Sequence, residues 1–199
     1  MNSHYFKNDQ NLSNKTYNIK FYYKEYLLSL TSSAGVFSKD HLDYGTNTLL
    51  KNLVLSPNCK TILDVGCGIG VIGISLAITN PHLYLEMIDV NERAIELANH
   101  NIHKYNLSNI KAYVSNLYEN VTLTFDCIIT NPPVRAGKQV IHKIIEGGYS
   151  YLNINGEFWA VINKKHGAPS FEKKMQEVFG NVEIIEKDKG YWVLKSIKK

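Results

Sequence analysis

Glycines and polar side chains stand where short apolar runs of this chain end. The residues whose types and spacing could do chemistry are Asp64, Gly66, Gly68, Gly70, Asp89 and Asn131-Pro132-Pro133. The apolar runs beside them are rich in Ile, Leu and Val, as buried strands are. Open α/β sheets bind ligands at the carboxyl ends of their strands. The pattern therefore predicts that these residues contribute to one ligand site.

The glycine-rich turn after Val65 leaves two kinds of ligand to consider. Glycines let a ligand approach the backbone without meeting a Cβ atom, and the helix that follows offers free N–H groups. Gly68-x-Gly70-x-x-Gly73 matches the dinucleotide fingerprint, with Asp89 near the expected offset for a ribose-binding carboxylate. However, the turn already begins at Gly66, and Asp64 would face a pyrophosphate with negative charge. A carboxylate there suits a cationic amino group, and a turn that binds nothing is the remaining alternative.

The whole chain is typical of one globular domain. It has 199 residues and a formal net charge of +4, which is compatible with nucleic acid but does not require it. The cysteines at positions 59, 67 and 127 form no CxxC pair, so neither a zinc site nor a disulfide framework is predicted. We also find no membrane-spanning run and no signal peptide, which predicts a cytoplasmic protein without a membrane partner.

Strands and helices alternate along most of the chain. The pattern predicts strands at 62–65, 83–88, 110–114, 125–130 and 157–162, with a closing antiparallel hairpin at 182–185 and 191–197. Helices are predicted at 46–55, 71–77, 91–105, 140–152 and 169–179, and a turn at 153–156. This order is typical of a doubly wound, mostly parallel seven-stranded α/β sheet. We divide the chain into an arm and β-hairpin at 1–33 and a main domain at 34–199.

The turn Asp64-x-Gly66-x-Gly68-x-Gly70 resembles the first motif of class I S-adenosylmethionine-dependent methyltransferases. Their Rossmann-like fold also ends with an antiparallel strand beside the fifth, whereas dinucleotide-binding folds stay parallel. The resemblance implies S-adenosyl-L-methionine as cofactor and Asp89 as acceptor for both ribose hydroxyls. Asn116 stands where an Asp commonly receives the adenine amino group; a turn role is the alternative. The implied cofactor-binding residues are Phe37, Asp64, Gly66, Cys67, Gly68, Gly70, Asp89, Val90, Asn116, Leu117 and Asn131.

Asn131-Pro132-Pro133 resembles the catalytic motif of amino-methyltransferases. An exocyclic amine is a poor nucleophile because its lone pair is delocalised. The Asn131 side-chain oxygen and the Pro132 backbone carbonyl could each accept one amine hydrogen and turn the lone pair toward the methyl group. Many members have a base-stacking aromatic residue at the next position, where this chain has Val134. Stacking must then come from elsewhere, while Arg135 and Lys138 could hold RNA phosphates.

Taken together, segments 34–45, 64–70, 131–138 and 164–169 resemble the small RsmC-type methyltransferases, which modify the exocyclic amine of guanine in ribosomal RNA. In that family the segment at 37–45 lies over the cofactor, which implies a role for Phe37, Asp43 and Gly45. The chain is thus predicted to methylate guanine N2 in ribosomal RNA or in a ribosomal particle, without a metal. Adenine and a protein glutamine amide are alternative substrates. Two alternatives belong to other functional classes. One is a catalytically silent RNA-binding protein of the same fold, and the other is an NAD-dependent oxidoreductase.

Overall fold

The computed structural model describes residues 16–33, 36, 41–133 and 137–199. Within this part of the chain, seven strands form one sheet and two further strands form a separate hairpin. The main strands are β3 (Thr61–Val65), β4 (Tyr84–Asp89), β5 (Ile110–Val114), β6 (Phe125–Thr130), β7 (Leu152–Asn163), β8 (Glu183–Asp188) and β9 (Tyr191–Ile197). The helices are α1 (Tyr44–Asn52), α2 (Val71–Thr79), α3 (Glu92–Lys104), α4 (Gly137–Tyr151) and α5 (Ala168–Phe179).

The sheet order is β5-β4-β3-β6-β7-β9-β8. The first five strands in this order are parallel, and β9 lies antiparallel between β7 and β8. This confirms the predicted mostly parallel seven-stranded sheet with its closing hairpin. The carboxyl ends of β3, β4, β5 and β6 meet at one edge, since Val65 pairs with both Ile88 and Thr130, and Asp89 pairs with Val114.

Successive strand residues supply two hydrophobic cores, one on each face of the sheet. Ile62, Met87 and Ile129 pack with α1, α2 and α3, whereas their neighbours Leu63, Ile88 and Ile128 pack with α4 and α5. All six are at most 1% exposed. Near-continuous apolar runs are therefore required in these strands, because both faces are covered.

The hairpin of β1 (Thr16–Tyr23) and β2 (Tyr26–Ser33) packs into the first core. Its turn lies at Lys24-Glu25. Asn101 of α3 is fully buried and ties the hairpin to the main domain: its Oδ1 accepts from the Thr31 N–H at 2.8 Å, and its Nδ2 donates to the Thr31 carbonyl at 3.0 Å and to the Ile69 carbonyl at 3.2 Å. The division at residue 33 stays a prediction, although the hairpin shares the core of the main domain.

The turn predicted at 153–156 is instead part of strand β7. Its pairing with β6 shifts register between Phe125 and Cys127. The irregular stretch remains hydrogen-bonded because the Asn155 N–H donates to the Lys198 carbonyl at 2.7 Å. Its polar residues and glycine favour a turn, but pairing with the carboxyl-terminal residues keeps the segment in the sheet. In the described ranges, no helix is long and apolar enough to cross a membrane.

Candidate active site

A hollow opens at the edge where the parallel strands end. Its walls come from the turns after β3, β4, β5 and β6, from the start of α4 and from the segment before α1. Of the predicted cofactor residues, it is lined by Gly66, Cys67, Gly68, Asp89, Val90, Asn116, Leu117 and Asn131. The structure thus brings together most of a site whose parts are far apart in the sequence.

The glycine turn forms an open cradle at one side of the hollow. Gly66 and Gly68 have φ angles of +74° and +56°, and a Cβ atom built on either would meet nothing within 4 Å. The turn is attached to β4 because the N–H groups of Gly66 and Cys67 donate to the Ile88 carbonyl at 2.8 and 3.0 Å. A left-handed backbone facing open space fits a ligand that approaches the main chain closely. Gly70 does not line the hollow and packs against Ile74 and Met87 instead.

Asp89 joins the cradle to the start of α3. It is 4% exposed, and its Oδ2 accepts from the Gly68 N–H at 2.9 Å while Oδ1 accepts from the Asn91 N–H at 2.9 Å. Burial raises the pKa of this carboxyl group, and the backbone donors oppose that shift. A carboxylate has about four acceptor sites, so both oxygens can still accept from a ligand. The contact with ribose hydroxyls stays a prediction.

Asp64 lies behind the glycine turn and is not part of the hollow's lining. It is 1% exposed, its Oδ2 accepts from the Gly73 N–H at 3.1 Å, and its buried Oδ1 has no hydrogen-bond partner among the described residues. Burial raises its pKa to about 7. An unpaired buried carboxylate oxygen suits a nearby cationic group. Contact with the amino group of a cofactor nevertheless stays a prediction.

The turn after β5 presents Asn116 and Leu117 to the hollow. Ser115 organises this turn: its hydroxyl donates to the Leu117 carbonyl at 2.7 Å and accepts from the Asn120 N–H at 3.1 Å. Leu117 is thereby held at a φ of +54°, which a leucine rarely adopts. The Asn116 Nδ2 donates to Glu119 Oε1 at 2.8 Å, which leaves the Asn116 carbonyl oxygen as an acceptor for a ligand.

Asn131 is held by a network that reaches it from α1. Its Nδ2 donates to Asp43 Oδ2 and to Thr46 Oγ1, both at 2.9 Å. Asp43 also caps α1, because its Oδ2 accepts from the Thr46 N–H at 2.8 Å. Both amide hydrogens of Asn131 are therefore in use, and its remaining polar atom, the carbonyl oxygen, is an acceptor.

A second, smaller hollow adjoins the first. Asp43, Asn131 and Pro133 line both of them. Pro132 lines only the second, along with Ile141, Ile162, Asn163, His166 and Tyr191. Asn131 thus stands at the boundary between the two.

The other predicted residues fall into two groups. Phe37, Val134 and Arg135 lie outside the described residues, whereas Lys138 is exposed in the first turn of α4. Gly45 contacts a tyrosine of β9, since a Cβ built on it would lie 2.8 Å from a Tyr191 ring carbon, and its position over the cofactor stays a prediction.

Sequence reasoning missed several residues that line the first hollow. They are Ile19, His41, Leu42, Thr46, Ile69, Val71, Ile72, Ser115, Val140 and Ile144, besides the strand residues Val65 and Ile88. For Thr46 a signal existed, since a carboxylate three residues before it is a helix-capping pattern. Ile19 comes from the hairpin and had no local signal. Across the described ranges, no three His, Cys, Asp or Glu side chains group as metal ligands would. Independence from metal stays a prediction.

Comparison with known proteins identifies the family. Residues 27–195 match the family model described as "Methyltransferase small domain". The chain belongs to this family, as predicted, and such enzymes use S-adenosylmethionine as methyl donor. It is 42% identical over 200 residues to the uncharacterized protein YbxB of Bacillus subtilis, with full coverage of both chains. It is also 33% identical to the ribosomal RNA small subunit methyltransferase C of Erwinia tasmaniensis, over 94% of this chain and 55% of that one.

Solved structures show the same fold. The 16S rRNA N2 G1207 methyltransferase (RsmC) of T. thermophilus, in complex with AdoMet and guanosine, superposes with a TM-score of 0.82 at 22% identity. The match covers 92% of this chain and 51% of that one. A methyltransferase from Pyrococcus furiosus superposes with a TM-score of 0.66 at 23% identity, over 76% of this chain and 80% of that one. The chain spans about half the length of the methyltransferase C relatives.

Proposed function

We propose that this protein transfers a methyl group from S-adenosylmethionine to the exocyclic N2 amine of a guanine in ribosomal RNA. The family supports methyl transfer, and the residues that line the hollow at the strand ends support a cofactor site there. The names of the methyltransferase C relatives support ribosomal RNA as the substrate class. A ribosomal substrate also implies that the protein acts in the cytoplasm.

The residues around the first hollow fit this cofactor. The open turn at Gly66 and Gly68 can receive its carboxylate end, Asp89 its ribose and the Asn116 oxygen its adenine amino group. When bound, S-adenosylmethionine supplies a sulfonium methyl carbon, which accepts the amine lone pair as the carbon–sulfur bond breaks to leave a neutral thioether. The methylated nitrogen then releases one proton to solvent. The Cys67 thiol, whose pKa burial raises, stays protonated and fills space in the turn.

The orientation of Asn131 is the observation that carries the proposal. Asp43 and Thr46 take both hydrogens of its amide, which presents the carbonyl oxygen as an acceptor at the boundary of the two hollows. An exocyclic amine in the second hollow could donate one hydrogen to this oxygen and the other to the Pro132 backbone carbonyl. These two bonds would hold the nitrogen with its lone pair toward the first hollow and stabilise its developing positive charge.

Nucleoside analysis of ribosomal RNA from a deletion strain tests the proposal. Mass spectrometry should show one N2-methylguanosine fewer than in the parent strain, and a plasmid copy of the wild-type gene should restore it. A copy carrying Asn131→Ala should not restore it. Loss of N6-methyladenosine, or of a methylated glutamine in a ribosomal protein, would transfer the assignment to the corresponding amine. Ribosomal RNA and protein modification unchanged by the deletion would contradict the proposal.

A further inference from the structure

The wall of the second hollow contains an aromatic ring contributed by the far end of the chain. Tyr191 begins strand β9 and lines this hollow with Asn131, Pro132 and Pro133. The remaining surface is partly apolar, from Ile141 and Ile162. An aromatic ring beside apolar side chains and the polar side chains of Asn131, Asn163 and His166 is suited to a nucleobase.

We infer that the target base, flipped out of the RNA, stacks on the ring of Tyr191 while its amine reaches Asn131. This rests on the proposed function and adds to it the residue that recognises the base. Position 134, directly after the second proline, carries a valine, so an aromatic surface has to come from another part of the chain. Because β9 is antiparallel to β7, its first residue lies at the edge where the parallel strands end: Tyr191 pairs with Asn163, the last residue of β7.

The position of the Tyr191 ring is fixed by its neighbours. A Cβ built on Gly45 would lie 2.8 Å from the ring, so the absence of a side chain there leaves room for it. The ring of Tyr44 lies 5.7 Å away at an interplanar angle of 41°, and the Tyr44 hydroxyl donates to Asp188 at the end of β8. These contacts join α1, which also carries the Asp43–Thr46 network, to the closing hairpin. The stacking surface and the amine acceptor are thereby connected through the start of α1.

Two exposed lysines lie between Asn163 and His166, which line this hollow, and their charge suits the RNA backbone. Lys164 and Lys165 follow Asn163 in a short 3₁₀ turn and are exposed. The Lys164 N–H donates to the Gly190 carbonyl, which ties this turn to the residue before Tyr191. Phosphates of the nucleotides beside the flipped base could therefore be held next to the stacking surface.

The test compares Tyr191→Leu, which removes the ring, with Tyr191→Phe, which keeps it. Tyr22→Leu is the matched control, since Tyr22 is 71% exposed on the amino-terminal hairpin. Guanosine binding is followed by NMR with S-adenosylhomocysteine present, and KM and kcat are measured on ribosomal RNA from the deletion strain. We expect Tyr191→Leu to weaken guanosine binding about tenfold and to raise KM for RNA similarly. Tyr191→Phe and Tyr22→Leu should stay within about twofold of wild type, as should S-adenosylhomocysteine affinity in all three.

A spectroscopic readout separates stacking from a structural role. The Tyr191 ring resonances, assigned by their absence from the Tyr191→Phe spectrum, should move upfield when guanosine binds. This shift decides the matter if Tyr191→Leu fails to fold. Wild-type KM and guanosine affinity in folded Tyr191→Leu, or ring resonances that do not move, would overturn the inference while leaving guanine methylation intact. If the ring resonances move with adenosine and guanine is not methylated, the stacking inference stands and the proposed guanine substrate fails.

Discussion

The two hollows that meet at Asn131 are built in different ways. The first is formed mainly by turns that directly follow strands, and its key polar contacts join residues near each other at one sheet edge, such as Asp89 and the Gly68 N–H. The second takes its walls from the residue before α1, the turn after β6, α4, the end of β7 with the turn that follows it, and the start of β9. These segments are spread over most of the chain. The first hollow therefore depends mainly on local turns at the strand ends, whereas the proposed substrate site depends on how distant elements pack.

Asn131→Ala should separate the two hollows most strongly. We expect the rate of methyl transfer to fall roughly 10²-fold or more, because a positioned polar group is lost, with cofactor affinity within about twofold of wild type. Single-turnover assays at saturating RNA, with S-adenosylhomocysteine binding measured separately, check both quantities. Asn116→Ala is the control on the cofactor side and should show the reverse, weaker cofactor binding and a near-normal rate at saturation. A wild-type rate in Asn131→Ala would show that Asn131-Pro132-Pro133 forms a turn without a catalytic role.

Asp89→Ala should weaken cofactor binding in the first hollow and leave the second hollow unchanged. Losing charge-assisted bonds costs roughly 1.5–3 kcal/mol, which corresponds to about a tenfold to hundredfold loss of cofactor affinity. Part of this loss should come from the glycine turn, because Asp89 also accepts from the Gly68 N–H. Calorimetry with S-adenosylhomocysteine measures it, and Asp89→Asn is the variant of matched size. Unchanged affinity in a folded Asp89→Ala protein would remove this carboxylate from the site.

Asp43→Asn tests whether the orientation of Asn131 depends on α1. The new amide can no longer supply the charged acceptor that Asn131 Nδ2 now bonds at 2.9 Å. The transfer rate should fall about tenfold, the scale of one hydrogen bond to a charged group. Thr46→Val removes the second acceptor, and the double variant should lose little more than the worse single one if both act through Asn131. Fully additive losses in single-turnover rates would argue for separate roles.

Asp64, which lies behind the glycine turn, should make the stability of the folded protein depend on pH. Its pKa in the folded protein is about 7, raised by burial from an ordinary value of 3.8. The folded state therefore binds this proton more tightly than the unfolded state, so the stability contribution of Asp64 should fall from about pH 4 to about pH 7 and then level off. Thermal unfolding of wild type and Asp64→Asn between pH 4.5 and 8 checks this through the difference in Tm. A difference that does not change with pH would contradict it, and bound S-adenosylhomocysteine should reduce the change if its ammonium group pairs with Asp64.

The smallest effects are expected at the two exposed lysines beside the second hollow. Lys164→Ala and Lys165→Ala should each weaken RNA binding a few fold and lower the slope of log affinity against log salt by about one, as loss of a phosphate contact does. Lys60→Ala, an exposed lysine just before β3 at the opposite edge of the sheet, is the control. Filter binding over a salt series measures all three. Equal slopes of log affinity against log salt in the three variants would indicate that RNA binds to another surface of the protein.

Much of the first hollow could be predicted from local patterns. The glycines after Val65 and the carboxylate that ends β4 lie within one strand–helix–strand unit, in which short-range geometry limits the arrangement. The alternation of apolar strands and amphipathic helices also predicted the sheet and its closing hairpin. The sequence could not show that the stretch at 153–156 would stay in the sheet, because that depends on pairing with Lys198.

By itself, then, the sequence determined the class of fold, the edge of the sheet that carries the site and the residue types of the glycine turn, Asp89 and Asn131. Only the tertiary structure decided which way the Asn131 amide faces, because Asp43 and Thr46 lie more than 80 residues away and reach it through the packing of α1. It also brought Tyr191 to the second hollow, through an antiparallel pairing with β7. Hydrophobic patterns specify which faces are buried, but the position of a single side chain depends on neighbours that only the folded chain assembles.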